Sequence, residues 1–189
     1  MKTITKEYKL YSYDELSEES KQNVLSELSY INVDNDWHIM DDIYLDIAKE
    51  YGVHINMSGA CYDLDRSNFL YFETYNHGGK PDYDRDIRIE DSKKFLKKAG
   101  FDLRKCRDIV DQFTIEHKHY SGSEGHNYID CYGCTPEQEE KLQACLDEMI
   151  DKIKDELKDQ YESLTSEEAI IDTINANEYT FLENGKLFS

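Results

Sequence analysis

The chain has 189 residues, and 39% of them are hydrophobic, which provides a packed core and excludes intrinsic disorder for most of its length. Its 22 basic and 41 acidic residues give a net charge of −19, which disfavours binding of the isolated protein to nucleic acid or anionic membranes. The same charge favours basic partners, although an acidic composition is also common in proteins that need only a solvated surface. No apolar segment resembles a secretory signal or a membrane span, so we expect a cytoplasmic protein.

The N-terminal third combines one strand pattern with two helix patterns. Residues 3–11 alternate and are rich in β-branched and aromatic side chains, which predicts a strand. Ser17 is a typical helix N-cap, and the acidic residues that follow it favour the positive end of the helix dipole. A second helix is predicted over residues 32–51 from apolar residues at helical spacing, with Gly52 as its C-terminal stop.

The middle of the chain predicts mostly short elements. Residues 53–65 and 68–76 are interpreted as two neighbouring antiparallel strands, followed by a loop. A short helix is predicted over residues 90–98, and another around residues 103–111. Residues 112–132 alternate again, which predicts a hairpin.

The C-terminal third begins with a strong helix signal. Thr135 and Gln138 form a capping box around Pro136, which occupies the first helical position, and the helix is predicted to continue to about Leu164. Thr165 is predicted to cap a further helix, and residues 178–188 are predicted to form a hairpin around an Asn-Gly turn.

These elements predict an α+β fold, with a small, mostly antiparallel sheet packed with several helices. A long C-terminal helix and a hairpin complete the prediction. We expect one compact domain over residues 1–189, with a variable insert at about residues 75–135 as an alternative within that domain.

The cysteines and histidines suggest two kinds of site. Cys131 and Cys134 could bind zinc together with His126 and either His117 or His119, because zinc prefers four sulfur or nitrogen ligands. A Cys-x-x-Cys redox site is the second option, although it normally follows a strand in a parallel unit. A structural role is favoured, in which a strand ends and a helix begins. The odd number of cysteines indicates free thiols in a reducing compartment.

Acidic residues are concentrated in the region from Asp34 to Asp65. Carboxylate pairs can hold Mg²⁺, so a metal-dependent enzyme is one hypothesis. In a chain with 41 acidic residues, however, such pairs are expected by chance. No nucleotide-binding or hydrolase motif is present, and no cofactor is expected. A DNA-like acidic surface that contacts a basic partner is the alternative. Six aspartates are its candidates: Asp34, Asp36, Asp41, Asp42, Asp63 and Asp65.

One basic segment interrupts this acidic chain. Seven Lys and Arg residues lie in the 15-residue range 93–107, which complicates simple DNA mimicry. The segment could contact nucleic acid within a complex or serve as an ordinary charged surface. Its residues are Lys93, Lys94, Lys97, Lys98, Arg104, Lys105 and Arg107.

Two stretches carry a resemblance to a protein family. The sequence YSYDELSEESKQNVLSELSYINVDNDWHIMDDIYLDIAKEYG with the YDLDR that follows, and the sequence YESLTSEEAIIDTINANEYTFLENGKLF, resemble the two ends of a group of small acidic phage and prophage proteins. The region of residues 75–135 departs from that family. The resemblance implies a protein without known catalytic residues, labelled hypothetical or antitoxin-like, and some members are suspected to be anti-CRISPR proteins against Cas9-type effectors.

The leading functional hypothesis is therefore a phage-encoded, non-enzymatic inhibitor of a basic nucleic-acid-handling protein, most concretely a Cas9-type nuclease bound to guide RNA. It would act in the bacterial cytoplasm by blocking a DNA-binding groove or by locking a conformation. An antitoxin-like protein that neutralises a basic toxin is the second hypothesis. The metal-dependent enzyme is the third.

Overall fold

The structure, a computed structural model, describes residues 4–36, 41–56, 60–63, 69–72, 87–110, 112–120 and 123–188. It confirms the α+β class predicted from the sequence. The helices are α1 (Glu18–Glu27), α2 (Ile31–Asp36), α3 (Asp41–Tyr51), α4 (Ser92–Lys98), α5 (Pro136–Leu164) and α6 (Glu167–Ala176). The strands are β1 (Val53–Ile55), β2 (Ala60–Asp63), β3 (Phe69–Phe72), β4 (Ile87–Ile89), β5 (Phe113–Tyr120) and β6 (Ser123–Cys131).

Backbone contacts divide the chain into two compact units. Unit 1 combines residues 1–39 with residues 159–189, and unit 2 comprises residues 40–158. The single domain expected from the sequence stays a prediction. No described helix is both long enough and apolar enough to cross a membrane.

Unit 1 packs α1 and α6 around a small apolar core. Ser17 caps α1 as predicted, because its side chain accepts a hydrogen bond from the backbone N–H of Ser20 at 3.2 Å. The hydroxyl of Ser20 in turn donates to the carbonyl of Glu183 at 2.7 Å, which fixes the C-terminal turn against α1. The buried core residues are Tyr13, Leu16, Val24, Leu25, Ile170, Ile174 and Phe181.

A buried asparagine joins three helical segments of unit 1. Asn32 in α2 is 4% exposed, and its amide donates to the carbonyl of Leu164 at 3.0 Å. Its amide oxygen accepts a hydrogen bond from the Thr173 hydroxyl of α6 at 2.6 Å. Both polar ends of the buried side chain are therefore satisfied, as a buried amide requires.

The strand predicted at residues 3–11 is wrong over its described part. Residues 4–10 are exposed and irregular, and backbone pairing begins only at an antiparallel bridge between Tyr11 and Phe181. Phe181 also bridges to Leu187, across the Asn-Gly turn that the sequence predicted. Alternation indicates a segment that can form a strand, but a strand also requires a neighbouring backbone, which the described structure provides only at Tyr11.

The described residues of unit 2 form three antiparallel strand pairs. β1 pairs with β4, β2 pairs with β3, and β5 pairs with β6 in the predicted hairpin. The predicted strand of residues 53–65 contains both β1 and β2, so the predicted antiparallel pairing is confirmed for β2 alone. β4 was missed because only three residues of it pair and they follow a polar, loop-like stretch. The longest ladder aligns Phe113 with Cys131 and Ile115 with Ile129.

Two side-chain amides connect β6 to its neighbours. Asn127, only 2% exposed, accepts from the N–H of Phe72 and donates to its carbonyl, both at 2.7 Å. Gln143 of α5 accepts from the N–H of Ile129 at 2.9 Å and donates to the carbonyl of Asn127 at 3.2 Å. Each amide thus supplies the donor and the acceptor that a neighbouring strand would supply.

Gly52 is required where α3 turns into β1. Its φ of +75° is left-handed, and a Cβ built there would lie 2.5 Å from the carbonyl oxygen of Asp91. The Gly52 carbonyl accepts from the N–H groups of Glu90 and Asp91 at 2.9 and 2.8 Å. The predicted stop is therefore confirmed, and it also brings the start of α4 against the end of α3.

Two helix predictions at other positions are wrong. Residues 103–110 form turns rather than a helix, while residue 111 lies outside the described residues. Ser166, not Thr165, caps α6, and accepts from the N–H of Ala169 at 3.2 Å. The Thr165 hydroxyl instead donates to the carbonyl of Tyr161 at 2.8 Å, so it closes the end of α5. The Thr135–Gln138 capping box of α5 is confirmed in both directions.

Replacement of Asn127 by alanine should destabilise the protein by about 2–4 kcal/mol, because it leaves two buried backbone groups of Phe72 without partners. Urea unfolding monitored by circular dichroism measures this loss. Asn175→Ala on the exposed face of α6 is the matched control and should change stability by less than about 0.5 kcal/mol. Equal effects of the two substitutions would contradict a connecting role for Asn127.

Candidate functional site

The six predicted aspartates do not form one described cluster. Asp34 is exposed on α2, which lies in unit 1 and also contains the backbone of Asp36. Asp41 and Asp42 begin α3 of unit 2, and Asp63 is partly exposed at the end of β2. Asp65 lies outside the described residues. A common DNA-like surface of these aspartates therefore stays a prediction.

A second acidic surface lies on α5, and the sequence analysis did not single it out. The buried side chains of this helix face one way, and five exposed acids lie on the opposite face within unit 2. We call this set the acidic stripe. It consists of Glu137, Glu140, Asp147, Asp151 and Asp155.

The acidic stripe is only partly neutralised by its own helix. Glu137 pairs with Lys141 at 2.9 Å, and Asp151 pairs with Lys154 at 2.8 Å. Within the described residues, Glu140 and Asp155 form no ion pair. From Glu137 to Asp155 the helix rises about 27 Å, so the stripe presents roughly one charge per 7 Å. This is about half the charge density of a single DNA strand, and the stripe therefore resembles a strand only partly.

The most interconnected group of ionisable side chains surrounds Tyr51, which is 1% exposed at the end of α3. We call Tyr51, Lys98, Glu148 and Lys152 the Tyr51 cluster. The Tyr51 hydroxyl donates to Glu148 at 2.9 Å, and Lys152 donates to the same hydroxyl at 2.6 Å and to Glu148 at 2.7 Å. The ammonium groups of Lys98 and Lys152 lie 4.8 and 5.1 Å from the Tyr51 ring centroid.

The electrostatics of the Tyr51 cluster favour a structural role. Burial raises the pKa of the Tyr51 hydroxyl, and the hydrogen bond from Lys152 lowers the pKa of Glu148. Lys98 also forms an ion pair with Glu50 at 3.5 Å. Each charged group thus has an internal partner of opposite charge, and the cluster ties the ends of α3 and α4 to α5.

The structure does not bring His126 to Cys131 and Cys134, three of the residues that the sequence suggested for a zinc site. Cys131 and Cys134 are joined by a disulfide, so the free thiols expected for these two residues are wrong. His126 is exposed, whereas Cys131 is buried on the other face of β6, and the five residue steps between them span about 16 Å. The backbones of His117 and His119 lie on β5, where His117 pairs with Asn127.

The remaining chemistry of the described residues is limited. Within those ranges no group of three or more His, Cys, Asp or Glu side chains is arranged to hold a metal ion. Cys106 and Cys145 are buried free thiols, and burial raises the pKa of Cys145 to about 11. A thiol with that pKa remains protonated near neutral pH and is a poor nucleophile.

Comparison with known proteins gives no relative. No protein-family model, curated protein or solved structure matches this chain. The resemblance to small acidic phage proteins therefore stays a prediction that depends on the two quoted stretches.

Removal of the carboxylate of the Tyr51 cluster should have a pH-dependent effect. The lowered pKa of Glu148 means that it stabilises the fold above its unfolded pKa of about 4.3, and this stabilisation is lost as pH falls through the folded pKa. The raised pKa of Lys152 keeps it charged throughout this range. Glu148→Gln should therefore lower the urea midpoint at pH 7 and have less effect at pH 3.

Glu140→Gln on the same helix is the control for that titration, because Glu140 is exposed and has no ion pair within the described residues. Its effect should be small at both pH values. A Glu148→Gln effect that is as large at pH 3 as at pH 7 would contradict the charged hydrogen bond as its cause.

The disulfide gives a further prediction. In protein purified without reductant, the peptide that contains Cys131 and Cys134 should resist alkylation until a thiol reductant is added. Cys131→Ser/Cys134→Ser should lower the free energy of unfolding by about 2 kcal/mol, because the disulfide no longer restricts the unfolded chain. The loss is at the low end of the usual range because the bond closes only a short loop. The double variant should no longer respond to reductant. Alkylation of both thiols without prior reduction would contradict the bond.

Proposed function

We propose that this chain is a non-enzymatic inhibitor that acts in the bacterial cytoplasm on a basic nucleic-acid-handling protein, most concretely a Cas9-type nuclease. The observation that carries the proposal is the net charge of −19 combined with exposed acids that form no ion pair with any described residue, such as Glu140 and Asp155 on α5. Carboxylates on successive turns of a helix are attracted by the Arg- and Lys-lined channel that holds nucleic acid in such nucleases.

The mechanism that the charge supports is occlusion of that channel. An acidic surface speeds association and loses affinity as salt rises, because counter-ions screen exposed charges beyond about 8–10 Å. The partial resemblance of the acidic stripe to a nucleic-acid strand supports competition with DNA rather than catalysis. Phage origin and anti-CRISPR activity are part of this proposal and are supported by the sequence resemblance alone.

A titration of this protein into a Cas9–guide RNA complex tests the proposal, with DNA binding and cleavage measured at 50 and 200 mM salt. We expect loss of DNA binding that is stronger at 50 mM. Glu140→Lys/Asp155→Lys should raise the concentration for half inhibition by at least about tenfold, since two attractions become repulsions. The control Glu27→Lys/Asp172→Lys makes the same change in net charge at exposed positions of α1 and α6. It should change the concentration for half inhibition by less than about twofold.

The contrary outcomes separate the parts of the proposal. Inhibition that survives the stripe variant and also pairwise lysine substitution of the six aspartates would refute the acidic surface. Loss of cleavage with intact DNA binding would replace occlusion by a conformational lock. No effect on the nuclease would contradict that target and favour the antitoxin-like alternative, which co-expression with a basic toxin would test.

A further inference from the structure

The basic segment of residues 93–107 lies in unit 2, and we call its exposed Lys and Arg residues the basic patch. Its seven Lys and Arg residues make up about a third of the 22 in the chain, and Asp102 is the single acid among them. A third of the positive charge in less than a tenth of the sequence is an unusual concentration for a protein with a net charge of −19.

An ordered backbone presents the basic patch. Phe95 and Leu96 are fully buried, so the four lysines of α4 occupy its exposed side. Beyond α4, the side chain of Asp102 accepts a hydrogen bond from the N–H of Arg104 at 3.1 Å and shapes the turn. Buried Cys106 and Ile109 hold the following residues against the core.

Most of the positive charge in the basic patch is available to a ligand. Lys94 donates to the carbonyl of Lys49, and Lys98 belongs to the Tyr51 cluster. The other five side chains are exposed and form no hydrogen bond or ion pair with any described residue. They are Lys93, Lys97, Arg104, Lys105 and Arg107.

The chemistry of these five groups fits a phosphate backbone. Arginine guanidinium groups bind phosphate oxygens in pairs, and lysine ammonium groups act as mobile point charges. Lys93 and Lys97 are one helical turn apart, so their ammonium groups can contact successive phosphates of an extended chain. Half-buried Phe101 lies between the lysines and the arginines in sequence, and single-strand binding surfaces typically combine basic residues with aromatic side chains on which bases stack.

The net charge of the chain does not prevent such a contact. At physiological ionic strength, charges more than about 8 Å apart are largely screened, so a ligand against the patch interacts mainly with the nearby cations. The net charge of −19, from which weak nucleic-acid binding by the isolated protein is expected, does not describe the charge at one site. The total charge weakens the contact, while the local charge determines where it forms.

We propose that the basic patch is a binding site for the phosphate backbone of single-stranded nucleic acid. The site is separate from the acidic surface that the proposed function uses, and it does not require a nuclease target. A nucleoprotein would satisfy both surfaces of the protein at once, because its protein part is basic and its nucleic acid is acidic.

Fluorescence anisotropy with the full chain and a labelled 20-nucleotide oligouridine tests this site, with oligothymidine and polyglutamate as parallel probes. We expect dissociation constants of about 10⁻⁶–10⁻⁴ M at 50 mM salt, the range of non-specific binding. If the site makes four phosphate contacts, the rise from 50 to 200 mM salt should weaken binding roughly 50-fold. Lys93→Gln/Lys97→Gln/Arg104→Gln should weaken binding at least about tenfold and reduce this salt dependence.

The matched control is Lys6→Gln/Lys9→Gln/Lys186→Gln, which removes three exposed positive charges outside the basic patch. It should change the affinity by less than about threefold. Equal loss in the two triple variants, or no binding by the wild-type protein at 50 mM salt, would overturn the proposal. Equal binding of polyglutamate would also overturn it, in favour of an acidic protein partner. Retention of oligothymidine binding alongside oligouridine would support a backbone contact common to DNA and RNA.

Discussion

The fold of unit 2 depends on hydrogen bonds that the side chain of Asn127 makes with the backbone of Phe72. β3 does not pair with β6 through an ordinary ladder, and the amide of Asn127 supplies the missing donor and acceptor in a nearly water-free position. A buried peptide group without partners costs more free energy than its hydrogen bond contributes, so substitution of the amide at position 127 is expected to be destabilising. β6 is thereby held by β5 along one edge, by Asn127 at β3, and by Gln143 from α5.

Local signals in the sequence located the ends of several helices. Ser17, the Thr135–Gln138 pair and Gly52 act through neighbours within a few residues, so their effects can be read without the fold. The strand predicted at residues 3–11 is wrong over residues 4–10 because pairing depends on a distant backbone, and among the described residues a bridge to this segment forms only at Tyr11. The cap of α6 was misplaced by one residue because Thr165 and Ser166 are both capable caps, and the end of α5 uses the first of them.

The candidate surfaces were predictable to different degrees. The basic patch is visible in the sequence because its residues lie within 15 positions, and the structure adds that each of its Lys and Arg residues is exposed. The acidic stripe has a signal as well, since acids recur at helical spacing opposite the buried face of a helix that the sequence predicted. The disulfide and the placement of His126 and Cys131 on opposite faces of β6 could not be read from their closeness in sequence, because the faces are assigned only once the strand is known.

Unit 1 is assembled from segments more than a hundred residues apart in the chain, whereas unit 2 is continuous. The hydrogen bond from Ser20 to Glu183 joins residues 163 positions apart. During translation, the segments of unit 2 leave the ribosome before the second half of unit 1 is made, and contacts can form only between segments already synthesised. The apolar side of α1 therefore remains exposed until the residues of α6 and the C-terminal turn have been synthesised. Nascent chains of this protein should engage chaperones through α1, and a slower rate of synthesis would lengthen that exposure.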